Sequence, residues 1–220
     1  MIEREFIKQN LKEHSVEEFV SRSLKRVGHS HTKMIRTPLG EKIVIFTSRP
    51  GLIVGRKGEN IKKLTKALKK EFNLKNPQIE ISEVEQYYLD AQIVAERIAD
   101  GMERFDSSKF KAIGHKMMAE IMNAGAIGVE ILISGKVPSA RARVWRFYQG
   151  YLKKCGDVSI EGVKQAYTQA HLRSGTVGIQ VRIMPPDVRL PDRISLITEK
   201  VEEPVVQEVK EEKKKARSKK

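Results

Sequence analysis

Residues 52–72, LIVGRKGENIKKLTKALKKEF, decide the fold that we predict for the first half of the chain. A short apolar run leads into Gly55-Arg56-Lys57-Gly58, here called the GRKG loop, and a lysine-rich segment follows. The apolar residues of that segment recur at helical spacing: Ile61, Leu64, Leu68 and Phe72. Lysines occupy its other face: Lys62, Lys63, Lys66, Lys69 and Lys70. The stretch therefore predicts a glycine-bounded turn that opens an amphipathic helix with one cationic face.

The GRKG loop is predicted to bind the sugar-phosphate backbone of RNA. Its glycines allow the protein backbone to approach a phosphate closely, and the N-terminus of the following helix offers free N–H groups and the positive end of the helix dipole. Arg56 and Lys57 add charge, which Lys62, Lys63 and Lys66 extend along the helix. The loop resembles the GXXG loop of KH modules, which clamps about four nucleotides. An ordinary glycine-rich turn is the weaker alternative, because the flanking elements and central cations favour the KH interpretation.

Two further predictions concern the surroundings of this loop. Ile53, Val54 and Ile61 are expected to wall a groove against which bases lie. A mononucleotide P-loop is excluded, because residues 51–57, GLIVGRK, have no Ser or Thr after the lysine to hold magnesium. NTPase activity is therefore not expected.

Outward from the loop, the sequence predicts a first domain of helices and strands. Apolar spacing predicts one helix over residues 1–13, and Ser15 with Glu18 forms a capping box that opens a second helix. Gly28 ends that helix. Strands are predicted at residues 32–38, 42–47 and 78–84, and an acidic helix at residues 88–105. We assign residues 1–15 to an N-terminal helix and residues 16–105 to a KH domain.

The second half of the chain predicts a separate domain. A helix capped by Ser107 or Ser108 is expected to run to about Ala124. Strands are expected at residues 128–134, 143–150, 163–172 and 177–184, and the last two form a β-hairpin. The predicted fold class is α/β (α+β), with a C-terminal α/β two-layer domain over residues 106–187. Residues 188–220 are assigned to an extension and a disordered charged tail.

Arginines at the start of the second domain form a second candidate RNA-binding site. Four of its residues follow the predicted strand at residues 128–134: Lys136, Arg141, Arg143 and Arg146. The helix before that strand adds Lys111 and Lys116. Guanidinium groups suit bidentate contact with phosphate, although an ordinary solvated face is the alternative. Trp145 shares a predicted strand face with Arg143 and either stacks on a base or packs against the domain core.

The charge distribution favours the folded part of the chain as the binding surface. The 220 residues include 42 Lys+Arg and 28 Asp+Glu, which gives a net charge of +14 and predicts a polyanionic partner. Two islands of +6 each, residues 55–75 and 103–154, flank an acidic segment of −5 over residues 76–102. The lysine-rich residues 199–220 add only +2, because glutamates offset most of their charge.

The sequence carries no catalytic or metal-binding motif. Cys155 is the one cysteine, the five histidines are scattered, and neither HExxH nor a Cys/His set is present. We therefore expect no catalytic residue, metal, cofactor or small-molecule substrate, and no enzymatic activity. No apolar run approaches the roughly 18 residues that span a bilayer, and the first residues lack the apolar core of a signal peptide. The chain is expected to be soluble and cytoplasmic, with no membrane partner.

Three segments together carry a resemblance to a known family: the GRKG loop, residues 128–147 (GVEILISGKVPSARARVWRF) and residues 175–186 (GTVGIQVRIMPP). In this order, over roughly residues 1–187, the chain resembles the small ribosomal subunit protein three family in its archaeal form. The resemblance implies a type II KH domain, a separate α/β domain and a place in the head of the small subunit. It also implies contact with small-subunit rRNA, neighbouring head proteins and the channel where mRNA enters.

The resemblance also indicates which cations would line that channel. In bacterial relatives the channel residues lie on the helix that opens the second domain, at positions that match Lys111, Ala112 and His115 here. In eukaryotic-type relatives they follow the SGK strand and match Arg141 and Arg143. Since only Lys111 among these three matched positions keeps a permanent charge, we weight Arg141 and Arg143 above the helix.

The sequence thus leads to the hypothesis of a structural RNA-binding protein of the small ribosomal subunit with no chemistry of its own. Contacts that ignore sequence fit this task, because a messenger channel must accept every codon. A free KH-type RNA-binding regulator or RNA-processing cofactor is the alternative, and an enzyme acting on nucleic acid through a lysine is a third possibility.

Overall fold

Two β-sheets, each with its own hydrophobic core, organise the protein. The computed structural model describes residues 2–38, 40–74, 76–105, 107–192 and 194. Residues Met1–Val188 form one unit, which contains both sheets, and Arg189–Lys220 form a second. The predicted disordered tail from about Glu199 lies outside the described residues.

The first sheet contains three strands in the order β1-β2-β3. They are β1 (His29–Thr37), β2 (Gly40–Thr47) and β3 (Gln78–Glu83), and all three predicted strands are confirmed within a few residues. β1 pairs antiparallel with β2, whereas β2 pairs parallel with β3. A parallel pair needs a crossover connection. Here it consists of α2 (Pro50–Val54), the GRKG loop and α3 (Glu59–Phe72).

The first core lies between this sheet and helices α1 (Ile2–Ser23) and α3. Its buried residues include Val16, Val20, Ile43, Ile45, Ile53, Leu64 and Leu68. The predicted break in the N-terminal helix is wrong, because α1 is continuous. The Ser15 hydroxyl donates a hydrogen bond back to the Leu11 carbonyl oxygen at 2.7 Å and caps nothing. A serine that bonds to the preceding turn leaves the helix intact.

The second sheet contains four antiparallel strands in the order β5-β4-β7-β6. They are β4 (Gly128–Gly135), β5 (Arg143–Gly150), β6 (Lys164–Leu172) and β7 (Gly175–Met184). The predicted hairpin of β6 and β7 is confirmed. Helices α4 (Ala91–Phe105) and α5 (Phe110–Asn123) cover one face of the sheet, which gives the predicted two layers.

Two features of these helices differ from the prediction. The acidic helix α4 was assigned to the first domain, yet its buried residues Val94, Ala95 and Ile98 belong to the second core. Helix α5 has Lys109 at its N-cap and no side-chain cap, so the predicted serine cap is wrong. A turn of 3-10 helix, Ser107–Lys109, replaces that cap.

Ion pairs join the end of the N-terminal segment to α4. Arg26 Nη2 lies 2.9 Å from Glu103 Oε2, and Arg26 Nε lies 3.4 Å from Asp100 Oδ1. Glu103 also accepts a hydrogen bond from the backbone N–H of His171 on β6 at 3.2 Å. One carboxylate of α4 therefore links the segment before β1 to the second sheet.

Gly114 allows α5 to lie close to β5, and replacing it with alanine should destabilise the protein. An added Cβ would lie 2.8 Å from Cε2 of the buried Phe147 ring. Alanine normally stabilises a helix interior relative to glycine, but overpacking here should cost about 1–3 kcal/mol in the free energy of unfolding. Urea denaturation measures the difference. Gly101→Ala in α4 is the matched control, because its Cβ would meet only Ile113 at 3.6 Å. Equal stability of G114A and G101A would contradict the close contact.

Burial of Glu96 on α4 should make stability depend on pH. Burial, and next the charge of Asp100, raises the pKa of Glu96 to about 7, and its Oε2 atom is buried without a hydrogen-bond partner in the described structure. Because the folded state then holds a proton that the unfolded state releases, stability should fall as pH rises from about 4.5 to 7. The free energy of unfolding should fall by up to roughly 3 kcal/mol over this range. Urea denaturation of wild type and Glu96→Gln between pH 5 and 7.5 tests this, and parallel profiles would refute it. Burial lowers the pKa of His29 nearby, but His29 is common to both proteins.

Candidate nucleic-acid interface

The GRKG loop has a backbone shape that depends on its two glycines. Gly55 has φ 68° and Gly58 has φ 70°, both in the left-handed region, and Lys57 between them has φ 53°. A Cβ on Gly55 would lie 2.5 Å from Nδ2 of Asn60, which donates a hydrogen bond to the Leu52 carbonyl oxygen at 3.2 Å. Asn60 thus ties the start of α3 to α2 across the loop, and a side chain at position 55 would collide with this bond.

The side chains of the loop and the adjoining helix face project into solvent. Arg56 and Lys57 are exposed, as are Lys62, Lys63 and Lys66 on α3. Lys63 pairs with Glu59 one turn earlier, at 2.7 Å between Nζ and Oε1, and a hydrogen bond from Lys63 lowers the pKa of Glu59. Such an exposed pair contributes little to stability. The structure therefore brings the predicted loop and helix cations together on one cationic surface.

One predicted wall of the groove beside this loop is wrong. Ile53 is only 1% exposed and lies in the first core, so it cannot contact a base. Its neighbours Leu52 and Val54 are exposed instead, by 52% and 37%. The difference arises because residues 50–54 form a helical turn, which directs one side chain inward and leaves its neighbours outside.

Lys136, Arg141 and Arg143 lie on the second candidate surface, here called the arginine segment (residues 136–143). All three side chains are exposed, and within the part of the chain that the structure describes they form no ion pair. The segment connects β4 to β5, at the end of the sheet where Gly135 pairs with Arg143. These three cations are exposed to solvent, and their contact with RNA stays a prediction.

Trp145 packs against the protein rather than standing free for a base. Its ring lies 5.1 Å from that of Phe110, and its Nε1–H donates a hydrogen bond to the Val137 carbonyl oxygen at 2.7 Å. Lys111 Nζ lies 5.1 Å above the indole ring. Of the two interpretations of Trp145, core packing is therefore the one observed. On α5 the second predicted cation, Lys116, faces Glu120 at 3.9 Å.

Arg146 does not share a face with the other arginines. Strand β5 alternates, so Trp145 and Phe147 point toward the helices, whereas Arg146 points to the opposite face of the sheet, away from α4 and α5. There Arg146 Nε lies 2.6 Å from Oε1 of Glu130. Arg146 therefore lies apart from Arg143 and Trp145, and its predicted contact with RNA stays a prediction.

The sequence also did not predict the ion-pair partner of Arg146. Glu130 on β4 is 2% exposed and contacts Lys154 Nζ at 2.8 Å and Arg182 Nη1 at 3.2 Å as well. The one signal in the sequence is a glutamate inside the apolar run GVEILIS. A buried carboxylate requires cationic partners, but the run does not reveal which ones.

Neither a metal centre nor a membrane span appears in the described part of the chain. Among residues 2–38, 40–74, 76–105, 107–192 and 194, His, Cys, Asp and Glu do not gather in any group of three that could hold a metal ion. In the same ranges, each helix is too short or too polar to cross a bilayer.

The fold and these two surfaces define an RNA-binding protein of the KH class with an additional α/β domain. Residues 15–87 match the KH domain family, and residues 98–183 match the family described as ribosomal protein S3, C-terminal domain. The chain belongs to the ribosomal protein S3 family. Because this is a family of structural ribosomal proteins, the expectation that the chain is not an enzyme is confirmed.

Relatives over most of the chain carry the same family name, small ribosomal subunit protein uS3. The protein of Methanocaldococcus jannaschii is 43% identical over 194 residues, which cover 88% of this chain and 92% of the relative. That of Methanosphaera stadtmanae is 39% identical over 214 residues, with 96% and 84% covered. That of Methanococcus maripaludis is 40% identical over 203 residues, with 92% and 95% covered. The archaeal form of the family, which the sequence resembles, is thus confirmed.

Proposed function

We propose that the chain is a structural constituent of the head of the small ribosomal subunit, in the cytoplasm, where it binds rRNA and lines part of the mRNA entry channel. The GRKG loop is the observation that carries this proposal. Its left-handed backbone, exposed Arg56 and Lys57, and position before the cationic face of α3 form an anion-binding surface. Neighbouring head proteins complete the set of partners.

The arginine segment supports the messenger contact. Arg141 and Arg143 keep their guanidinium groups exposed, and Lys136 extends the charge at the same end of the sheet. Phosphate contacts of this kind position a strand without reading its sequence. Lys111 and Lys116 on α5 contribute less, because Lys111 lies over Trp145 and Lys116 faces Glu120.

A free KH-type regulator or RNA-processing cofactor is the second candidate function. The exposed apolar side chains of Leu52 and Val54 beside the loop favour it, since they could receive the bases of a short motif. Gradient sedimentation of a cell extract separates the two functions. A ribosomal constituent is found wholly with small subunits and larger particles, whereas a regulator is found mainly in the free fraction.

Replacing both loop cations, as Arg56→Asp with Lys57→Asp, should weaken attachment to RNA because the new carboxylates repel phosphates. Filter binding of the purified chain to transcribed small-subunit rRNA at several salt concentrations measures this. The slope of log affinity against log salt should drop by roughly 2, about one per lost phosphate contact. Lys69→Asp with Lys70→Asp is the control, because it makes the same charge change at the other end of α3. Equal slopes of log affinity against log salt in the two double variants would show that the GRKG loop does not contact RNA.

Replacing Arg141 and Arg143 with glutamate should leave assembly of the small subunit unchanged but weaken its binding of mRNA. Protection of the downstream side of a bound mRNA in purified small subunits measures that binding, and we expect a loss of at least several-fold. Arg104→Glu with Arg173→Glu reverses two exposed charges elsewhere and should leave protection unchanged. Normal downstream protection in the Arg141/Arg143 variant would show that the segment does not contact messenger.

A further inference from the structure

The face of the second sheet that points away from α4 and α5, here called the open face, carries a cationic cluster at one end. On this open face, β4 contributes Glu130, which pairs in register with Tyr148 of β5 on one side and Arg182 of β7 on the other. Arg146 lies on the same face, and Lys154 follows β5 in the chain. We call Glu130, Arg146, Lys154 and Arg182 the Glu130 cluster.

One carboxylate serves three cations in this cluster, so the cluster keeps a net charge of +2. Both oxygens of Glu130 are used, with Arg146 and Lys154 on Oε1 and Arg182 on Oε2. Burial pushes the pKa of Glu130 upward, but hydrogen bonds from Lys154 and Arg146 outweigh burial and bring that pKa below its ordinary range. Glu130 therefore stays ionised at neutral pH and holds all three cations in place.

The cations are positioned while their outer surfaces stay accessible. The side chains of Arg146, Lys154 and Arg182 are 51%, 47% and 31% exposed, whereas Glu130 is almost fully buried beneath them. Arg146 uses Nε for Glu130 and lies 4.9 Å from the ring centre of Tyr148. In the orientation that satisfies its neighbours, the Gln180 amide oxygen accepts bonds from Arg182 at 2.8 and 3.0 Å.

We infer that the Glu130 cluster is a preorganised binding site for the phosphate backbone of folded small-subunit rRNA, separate from the GRKG loop and the arginine segment. This inference rests on the proposed function, which supplies the RNA. Guanidinium groups with free N–H donors match phosphate oxygens, and a fixed orientation lowers the entropy lost on binding. Tyr148 and Tyr167, exposed by 45% and 63% on the same face, offer rings beside the cations for stacking.

Rigidity favours rRNA over messenger as the occupant. A messenger slides past its contacts, which suits exposed cations such as Arg141 and Arg143, which form no ion pair among the described residues. The cations of the Glu130 cluster are each held by a buried carboxylate, and two of them have a second neighbour. A site whose geometry is fixed before binding fits a partner that stays in one place.

Salt-dependent binding to transcribed small-subunit rRNA tests the site. Arg182→Gln should lower the slope of log affinity against log salt by about 1, whereas Arg104→Gln, an exposed arginine elsewhere, should not. Glu130→Gln distinguishes a preorganised site from non-specific attraction to RNA. It raises the net charge by one, so non-specific attraction alone would tighten binding, but loss of preorganisation should weaken it. Tighter binding by E130Q, or an unchanged slope for R182Q, would overturn the inference. If thermal unfolding shows that E130Q does not fold, Lys154→Gln replaces it.

Cys155 allows the contact to be mapped in the assembled particle. It is the one cysteine of the chain, is exposed, and directly follows Lys154. An iron chelate attached to Cys155 should cleave nearby rRNA in assembled small subunits, and Cys155→Ser should abolish the cuts. Assembled subunits in which Cys155 is labelled but rRNA stays intact would overturn the inference, and crosslinks from Cys155 to a protein would then identify a protein partner instead. If the chain does not enter small subunits at all, the proposed function itself fails, which is a distinguishable result.

Discussion

Strand β3 runs parallel to β2, so the chain must cross over the sheet between the end of one strand and the start of the next. The crossover contains α2, the GRKG loop and α3, and the rest of the first domain depends on it. Burial of Ile53, Leu64 and Leu68 fixes the two helices against the sheet. The loop between them is then held outward, with the hydrogen bond from Asn60 to the Leu52 carbonyl oxygen joining the helix ends. RNA-binding geometry in this domain follows from the packing of its core.

The second sheet divides its two faces between packing and charge. The face toward α4 and α5 buries apolar side chains together with Trp145, while the open face gathers cations around Glu130. A carboxylate that is 2% exposed would be costly alone, and its three partners make its burial possible. Because the cations outnumber the carboxylate, the same arrangement that satisfies Glu130 leaves positive charge for a ligand. Cations of the arginine segment, by contrast, have no such anchor among the described residues.

Local patterns were enough to predict most elements. Helix α3, the loop before it and the β6–β7 hairpin come from periodicity and turn residues within a short stretch of chain, and the structure confirms them. The family assignment also follows from linear motifs and is confirmed by the matches to residues 15–87 and 98–183. The continuous α1 was missed because Ser15 forms a bond within the helix, an option that the capping pattern does not exclude.

By itself, the sequence determined most of the helices and strands, where the loop cations lie and which family the chain belongs to, because these depend on neighbours along the chain. Only the tertiary structure decided that α4 packs in the second core, that Ile53 is buried and that Arg146 faces away from Arg143. Each of these depends on strand register and packing between residues far apart in sequence. Glu130 shows the reason most clearly. Its partners Arg146 and Arg182 come from β5 and β7 and its third partner, Lys154, from the segment after β5, and only the folded sheet brings them together.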